Sequence, residues 1–221
     1  MAKHREPGGR EEAPLLLKDK AYRSIKQGIL QETFQAGQFL SEKQLIDHLA
    51  MSKTPIKSAL DRLEAEGFVQ VSPKQGILVK ELSYEKVKHL FDLRLALELF
   101  VAEQVAGRLS PLYCEKLELN LADQRRFMKE QDNERFTVSD AEFHMLLCEA
   151  TGNKEIISVM ENNQSHLYRF ALRVIRRLPE RKEQAYRDHV NILAAAKANQ
   201  PEEMKQLIRD HLQYAKTFLT I

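Results

Sequence analysis

Tryptophan is absent from this 221-residue chain, and its 2 cysteines, Cys114 and Cys148, show neither CxxC nor zinc-knuckle spacing. A disulfide scaffold is therefore excluded, and inert thiols are the default expectation. Glycine and proline are sparse, at 8 and 7 residues, which disfavours a many-stranded sandwich or a glycine-rich nucleotide fold. Long apolar runs are missing too, and Met1 to Pro14 is charged with no apolar h-region. Neither a membrane span nor a secretory signal is expected, and the expected location is the cytoplasm. Charge of one sign is also lacking, with 34 Lys and Arg against 32 Asp and Glu, so net charge names no partner. What remains is 43% apolar and 30% charged residues, enough for ordinary packed cores under a well-solvated surface.

The basic excess sits at the front: the first 80 residues hold 13 Lys and Arg against 10 Asp and Glu, the remainder 21 against 22. Residues 1–17 read as a loose tail. Helical spacing of Tyr22, Ile25 and Ile29 predicts a first helix over roughly 18–32. Ser41-Glu-Lys-Gln44 has the form of a capping box and starts a second helix with Leu45, Ile46 and Leu49 inward. Ser52 and Pro55 open a third, which Gly67 closes. Phe68–Val71 and Ile77–Val79 flank Ser72-Pro-Lys-Gln-Gly76 as a hairpin. Three helices and a two-stranded ribbon over 18–80 make a winged helix-turn-helix.

From residue 83 to 221 the pattern is continuous helix: Ser83 to Gly107, Ser110 to about Gln131, Phe136 to Ala150, Asn153 to Leu178, Glu180 to about Asn199, and Pro201 almost to Ile221. Short turns between six amphipathic helices suggest an antiparallel bundle with an internal core or cavity. The fold class expected is mainly α, a winged helix-turn-helix followed by an all-helical bundle.

Lys53, Thr54 and Lys57 lie at the start of the third helix, opposite Ile56, Leu60 and Leu63. In a helix-turn-helix these positions enter the major groove of double-stranded DNA, and Lys43 is placed to reach a phosphate. Two lysines alone would equally suit a solvated helix face. Asp140 and His144 lie one turn apart on one helix, and His189 and His211 each belong to a later helix. One oxygen and three nitrogen donors suit a divalent transition ion, zinc first, with nickel or manganese as alternatives. Surface polar residues and a satisfied core histidine are the other reading of that pattern.

Residues 20–80 resemble the winged-helix domain of the GntR family of bacterial transcription regulators, through Gly37, Leu40-Ser-Glu, Ser52-Lys-Thr-Pro-Ile-Lys-Ser-Ala-Leu60, Arg62-Leu-Glu-Ala-Glu-Gly67 and the wing Gly76. The family commonly carries Arg at the positions of Lys43, Lys53 and Lys57, so charge is retained here without the bidentate fork. The resemblance also implies a wing tip at Gln75 and Gly76 that meets the minor groove. Residues 83–218 resemble the all-helical ligand-binding domain of the FadR subgroup, known as FCD. It implies a metal set at Asp140, His144, His189 and His211, from Asp140-Ala-Glu-Phe-His144, Asp188-His189 and Asp210-His211-Leu212. It further implies that Arg94 pairs with an effector carboxylate, although Arg94 and Glu98 also have the spacing of a surface ion pair. The expectation is a homodimeric regulator, by family habit a repressor, controlled by a small organic acid. A metal-dependent hydrolase, or a metal-binding protein without sensor function, is the alternative; it lacks a visible catalyst, since Glu142 faces away from Asp140 and His144.

Overall fold

The structure, a computed structural model, describes residues 16–219. Most of the expected tail lies outside the described residues, and Leu17, its last residue, already begins a helix. The described chain separates into two compact units, one ending at Glu81 and the other starting at Leu82.

In the first unit, α1 (Leu17–Leu30) buries Ala21, Tyr22, Ile25 and Ile29. Helix α2 (Glu42–Leu49) starts at a complete capping box: Gln44 N–H donates to Ser41 Oγ at 3.1 Å and Ser41 N–H to Gln44 Oε1 at 2.7 Å. Helix α3 (Lys53–Glu66) turns Pro55, Ile56, Ala59, Leu60 and Leu63 inward and stops at Gly67, whose left-handed φ of 83° lets Phe68 N–H close back on the Leu63 carbonyl. Ser52 has extended backbone but accepts no capping hydrogen bond through its side chain.

The ribbon is a three-stranded antiparallel sheet, where two strands were expected. Strand β1 (Phe39–Leu40) pairs with β3 (Gly76–Val79), which pairs in turn with β2 (Val69–Ser72). Ile77 and Val79 alternate into the core. The extra strand gives Gly76 an internal role. Its φ is +93°, and a Cβ there would stand 2.6 Å from the Leu40 carbonyl oxygen.

The second unit is entirely helical among the described residues: α4 (Tyr84–Val105), α5 (Pro111–Lys129), α6 (Asn133–Ala150), α7 (Lys154–Arg177), α8 (Arg181–Lys197) and α9 (Pro201–Lys216). Side chains of Ser83, Ser110, Asp132 and Asn153 cap four of these helices at their N-termini. Asp132 explains why α6 begins before the expected Phe136: it accepts from Arg135 N–H at 2.9 Å, ahead of the first apolar residue. Helix α9 ends at Lys216, short of the expected run towards Ile221. Helix α5 packs on α6, α6 on α7, and α9 on both α4 and α8, around a core that includes Phe91, Val101, Leu117, Phe143, Leu147, Ile192 and Leu212. No described helix is long and apolar enough to cross a membrane.

Candidate metal centre and nucleic-acid interface

Three histidines from three helices meet inside the second unit. His144 on α6, His189 on α8 and His211 on α9 are all buried, and one ring nitrogen of each lies within 4.8 Å of the others. Each has its Nδ1 engaged. His144 Nδ1 lies 2.7 Å from Glu98 Oε2, His189 Nδ1 lies 2.9 Å from Gln124 Oε1, and His211 Nδ1 lies 3.0 Å from Asp188 Oδ2.

These partners fix the tautomers. Glu98 is fully buried, and although burial alone raises a carboxyl pKa, the Arg94 guanidinium and His144 override it and lower this one to about 2. An ionised carboxylate only accepts, so His144 Nδ1 donates. The Gln124 amide nitrogen donates to Asn120 Oδ1 at 2.7 Å and faces the Ser139 carbonyl at 3.4 Å, which turns its oxygen towards His189. His189 Nδ1 therefore donates as well. Asp188, held below the ordinary carboxylate range by its hydrogen bond with His211 against the raising effect of burial, plays the same part for His211. Burial also pushes the pKa values of His144 and His189 down, His189 strongly, which keeps both rings neutral. His144 and His189 are each left with a bare Nε2 lone pair.

His144 Nε2 and His189 Nε2 then stand 3.1 Å apart, a contact of two acceptors that repels unless a cation lies between them. Two nitrogens bound to one tetrahedral zinc ion at about 2.0–2.1 Å stand about 3.3–3.4 Å apart, so the donor set fits such an ion. The outer partners, Glu98, Gln124 and Asp188, match what metal-ligating histidines require to hold ring orientation and basicity. Asp140 stands at the edge, with Oδ1 3.7 Å from His189 Nε2, outside the tight group of three. Phe143 stacks on the His189 ring with centroids 4.3 Å apart. Cys148 is buried nearby in sequence, its thiol pushed up to about 12 by burial first and Glu98 second, which leaves it an inert thiol.

Arg94 is buried, so its pair with Glu98 is not a surface one. Its Nε donates to Glu98 Oε1 at 2.5 Å inside the unit, so it anchors the carboxylate that holds His144. Its Nη2 is buried without a partner. A cleft of about 500 Å³, part of it open to solvent, is lined by Arg94, Asp140 and His211 together with Phe91, Leu167, Phe170, Val174 and Arg181. Glu98, Gln124 and Arg181 were missed in the sequence. The first two had a signal: Arg94 and Glu98 fall in the stripe Val87, Phe91, Val101, Val105 of α4, where only apolar residues are expected. Gln124 likewise follows Leu117 and Leu121 on α5. Glu142 lies on the exposed side of α6.

In the first unit, Lys43, Lys53, Thr54, Lys57 and Gln75 are exposed and Gly76 is partly buried. Lys53 Nζ lies 2.7 Å from Glu42 Oε2, so the lysine tip is tethered across the helix-turn-helix in the free protein.

Comparison with known proteins gives concordant results. Residues 17–79 match the family described as bacterial regulatory proteins, gntR family, and residues 89–214 match the FCD domain. The HTH-type transcriptional repressor RspR of Escherichia coli strain K12 is 26% identical over 192 residues, 87% of this chain and 84% of that protein. The solved structure of E. coli McbR/YncC superposes with a TM-score of 0.78 at 20% identity, covering 94% of this chain and 98% of the other. A putative transcriptional regulator GntR from Rhodococcus sp. RHA1 gives a TM-score of 0.75 at 18% identity, over 92% and 97%. The two structures share the fold.

Proposed function

Because the chain belongs to the GntR family of bacterial regulatory proteins, in its FadR-like, FCD-bearing subgroup, we propose that it is a homodimeric repressor whose operator affinity is set by a small organic acid at a metal-containing cavity. It is a transcription regulator, and relatives of this kind are named as regulators, not enzymes. The observation that carries the finer reading is the convergence of three buried histidines, each with Nδ1 engaged by a partner on another helix, beside a cleft that Arg94 lines.

In this reading His144, His189 and His211 hold a divalent ion, zinc first, with Asp140 as the fourth protein ligand. The ion supplies a Lewis-acid position for a carboxylate oxygen. Glu98, Gln124 and Asp188 keep the rings oriented through their Nδ1 atoms, with Nε2 turned towards the ion. On the DNA side, Lys53, Thr54 and Lys57 enter the major groove, Lys43 reaches a phosphate, and Gln75 and Gly76 approach the minor groove. Support for a second copy comes from α4, where Leu93 and Phe100 are exposed and Leu97 half-buried at i, i+4 and i+7.

Regulation follows from differential binding, since a ligand with equal affinity for two arrangements shifts neither. Arg94 and Glu98 ride on α4, the first helix after the connection at residues 80–83, so an acid that engages Arg94 acts on that helix. The test is fluorescence anisotropy of operator DNA with the zinc-loaded chain across a panel of small organic acids. One acid should change operator affinity by about 5- to 150-fold, and operator should change that acid's affinity by the same factor. Operator binding indifferent to every acid that the protein binds refutes the sensor.

A further inference from the structure

Arg181, the first residue of α8, is a buried cation with no counter-ion. It is 7% exposed, and among the described residues its side chain makes no ion pair and no hydrogen bond; its Nη1 is buried without a partner. Aromatic faces meet it: the guanidinium carbon lies 4.1 Å from the Tyr214 ring centroid and 5.6 Å from that of Phe218. Burying a guanidinium this way is costly, because stacking on rings replaces only part of its hydration. Asp188 and Asp140 soften the cost at longer range. Arg94, the other arginine of the same cleft, is also more than nine-tenths buried and also has an orphaned nitrogen, Nη2, although Glu98 already balances its charge.

The cleft thus offers two unsatisfied guanidinium donors, one of them carrying an unbalanced charge, with an apolar wall of Phe91, Leu167, Phe170 and Val174. A single carboxylate satisfies one donor and leaves the other as it was. We infer that the cavity takes a small dicarboxylate, with one carboxylate on Arg181 and the other on Arg94 beside the histidine cluster, and that Arg181 is the residue that distinguishes dicarboxylates from monocarboxylates. Arginine suits this role, since its planar fork meets a carboxylate through parallel N–H donors. The short carbon chain of such an acid matches the apolar wall. This inference rests on the reading of the cleft as the effector site.

Calorimetric titration of the zinc-loaded full chain with succinate, glutarate and butyrate tests it; butyrate keeps the carbon chain of succinate and has one carboxylate. A charge-assisted pair on Arg181 should favour succinate or glutarate over butyrate roughly tenfold to a hundredfold. Arg181→Gln should collapse that preference, with zinc content and far-ultraviolet circular dichroism read alongside. Should the Gln variant fail to fold, Arg181→Lys keeps the charge without the fork and should reduce the preference. Equal binding of both acid classes to the wild type, or a preference that survives in the folded variant, overturns the inference and leaves the effector reading intact. Absence of binding by any of these acids while other small organic molecules bind and shift operator affinity overturns only the dicarboxylate assignment; absence of any acid response overturns both.

Discussion

Replacing Glu98 with Gln separates a metal centre from a merely polar core. The substitution keeps the volume and one carbonyl oxygen while removing the charge shared by His144 Nδ1 at 2.7 Å and Arg94 Nε at 2.5 Å. Two costs follow. Arg94 is left buried without its counter-ion, a loss of about 3–5 kcal/mol for a broken buried pair. At the low end, about 3 kcal/mol, that lowers the melting temperature by roughly 6–12 °C. Separately, His144 loses the anionic partner that raises its basicity, which weakens metal affinity about 10- to 100-fold, or roughly 1.4–2.7 kcal/mol. The double variant Arg94→Met/Glu98→Gln removes both charges and should regain most of the stability, because an uncharged core no longer carries an unpaired cation. It should not regain metal affinity. Competition with a chromogenic zinc chelator measures the affinity, and thermal denaturation of the metal-free forms measures the stability. Zinc affinity of Glu98→Gln within about threefold of the wild type would refute the assignment of Glu98 as the partner that orients His144.

Two further outcomes concern the first unit. Changing Lys53 and Lys57 together to Ala should weaken operator binding and, where each lysine meets a phosphate, reduce the salt slope by about one unit per contact; an unchanged slope and affinity in anisotropy titrations would remove α3 from the interface. Folding should hardly respond, since the exposed Lys53–Glu42 pair is worth less than about 1 kcal/mol. The second outcome is a pH dependence at Glu66. Burial alone raises its pKa, but hydrogen bonds from Lys26 and Tyr22 override this and hold it below 4.5. A folded-state value below the unfolded one means that this stabilisation is complete above the unfolded value and is lost as pH falls through the folded one. Urea denaturation between about pH 5 and pH 3 should therefore show a loss of stability that Glu66→Gln diminishes, and parallel curves for the two proteins would contradict it.

The winged helix was legible because its signals are local. The Ser41–Gln44 capping box, the left-handed Gly67 and the alternation of Ile77 and Val79 each involve a few consecutive residues. Strand β1 was not, because two residues, Phe39 and Leu40, carry no periodicity and are held by backbone pairing with Leu78 and Ile77 far along the chain. The histidines could be named from the Asp140–His144 spacing and the family resemblance together. Their orientation could not, since the acceptors of their Nδ1 protons come from α4, α5 and α8. Arg181 was the least legible, sitting in the charged run Arg181-Lys-Glu with its burial imposed by Tyr214 and Phe218 of the chain's last segment.

The hidden residues share a physical trait that links them to function. Glu98, Gln124 and Asn120 occupy buried positions where leucine would pack, and they bring no apolar burial in return. A helical bundle selected for stability alone would replace Arg94 and Glu98 with apolar residues, a change that is often neutral or favourable by about 1–4 kcal/mol. Hydrogen bonds within the set offset the desolvation of Glu98, Gln124 and Asn120, but they leave one nitrogen of Arg94, one of Arg181 and the facing Nε2 atoms of His144 and His189 unsatisfied. Those remaining groups are two donors of positive charge and a cluster of bare lone pairs, in one unit and around one cleft. Their needs are opposite in sign. A cation among the histidines and an anion between the arginines would satisfy both, and each would lower the electrostatic cost of the other, so zinc should tighten succinate binding in calorimetric titration, and equal binding with and without zinc would refute the coupling.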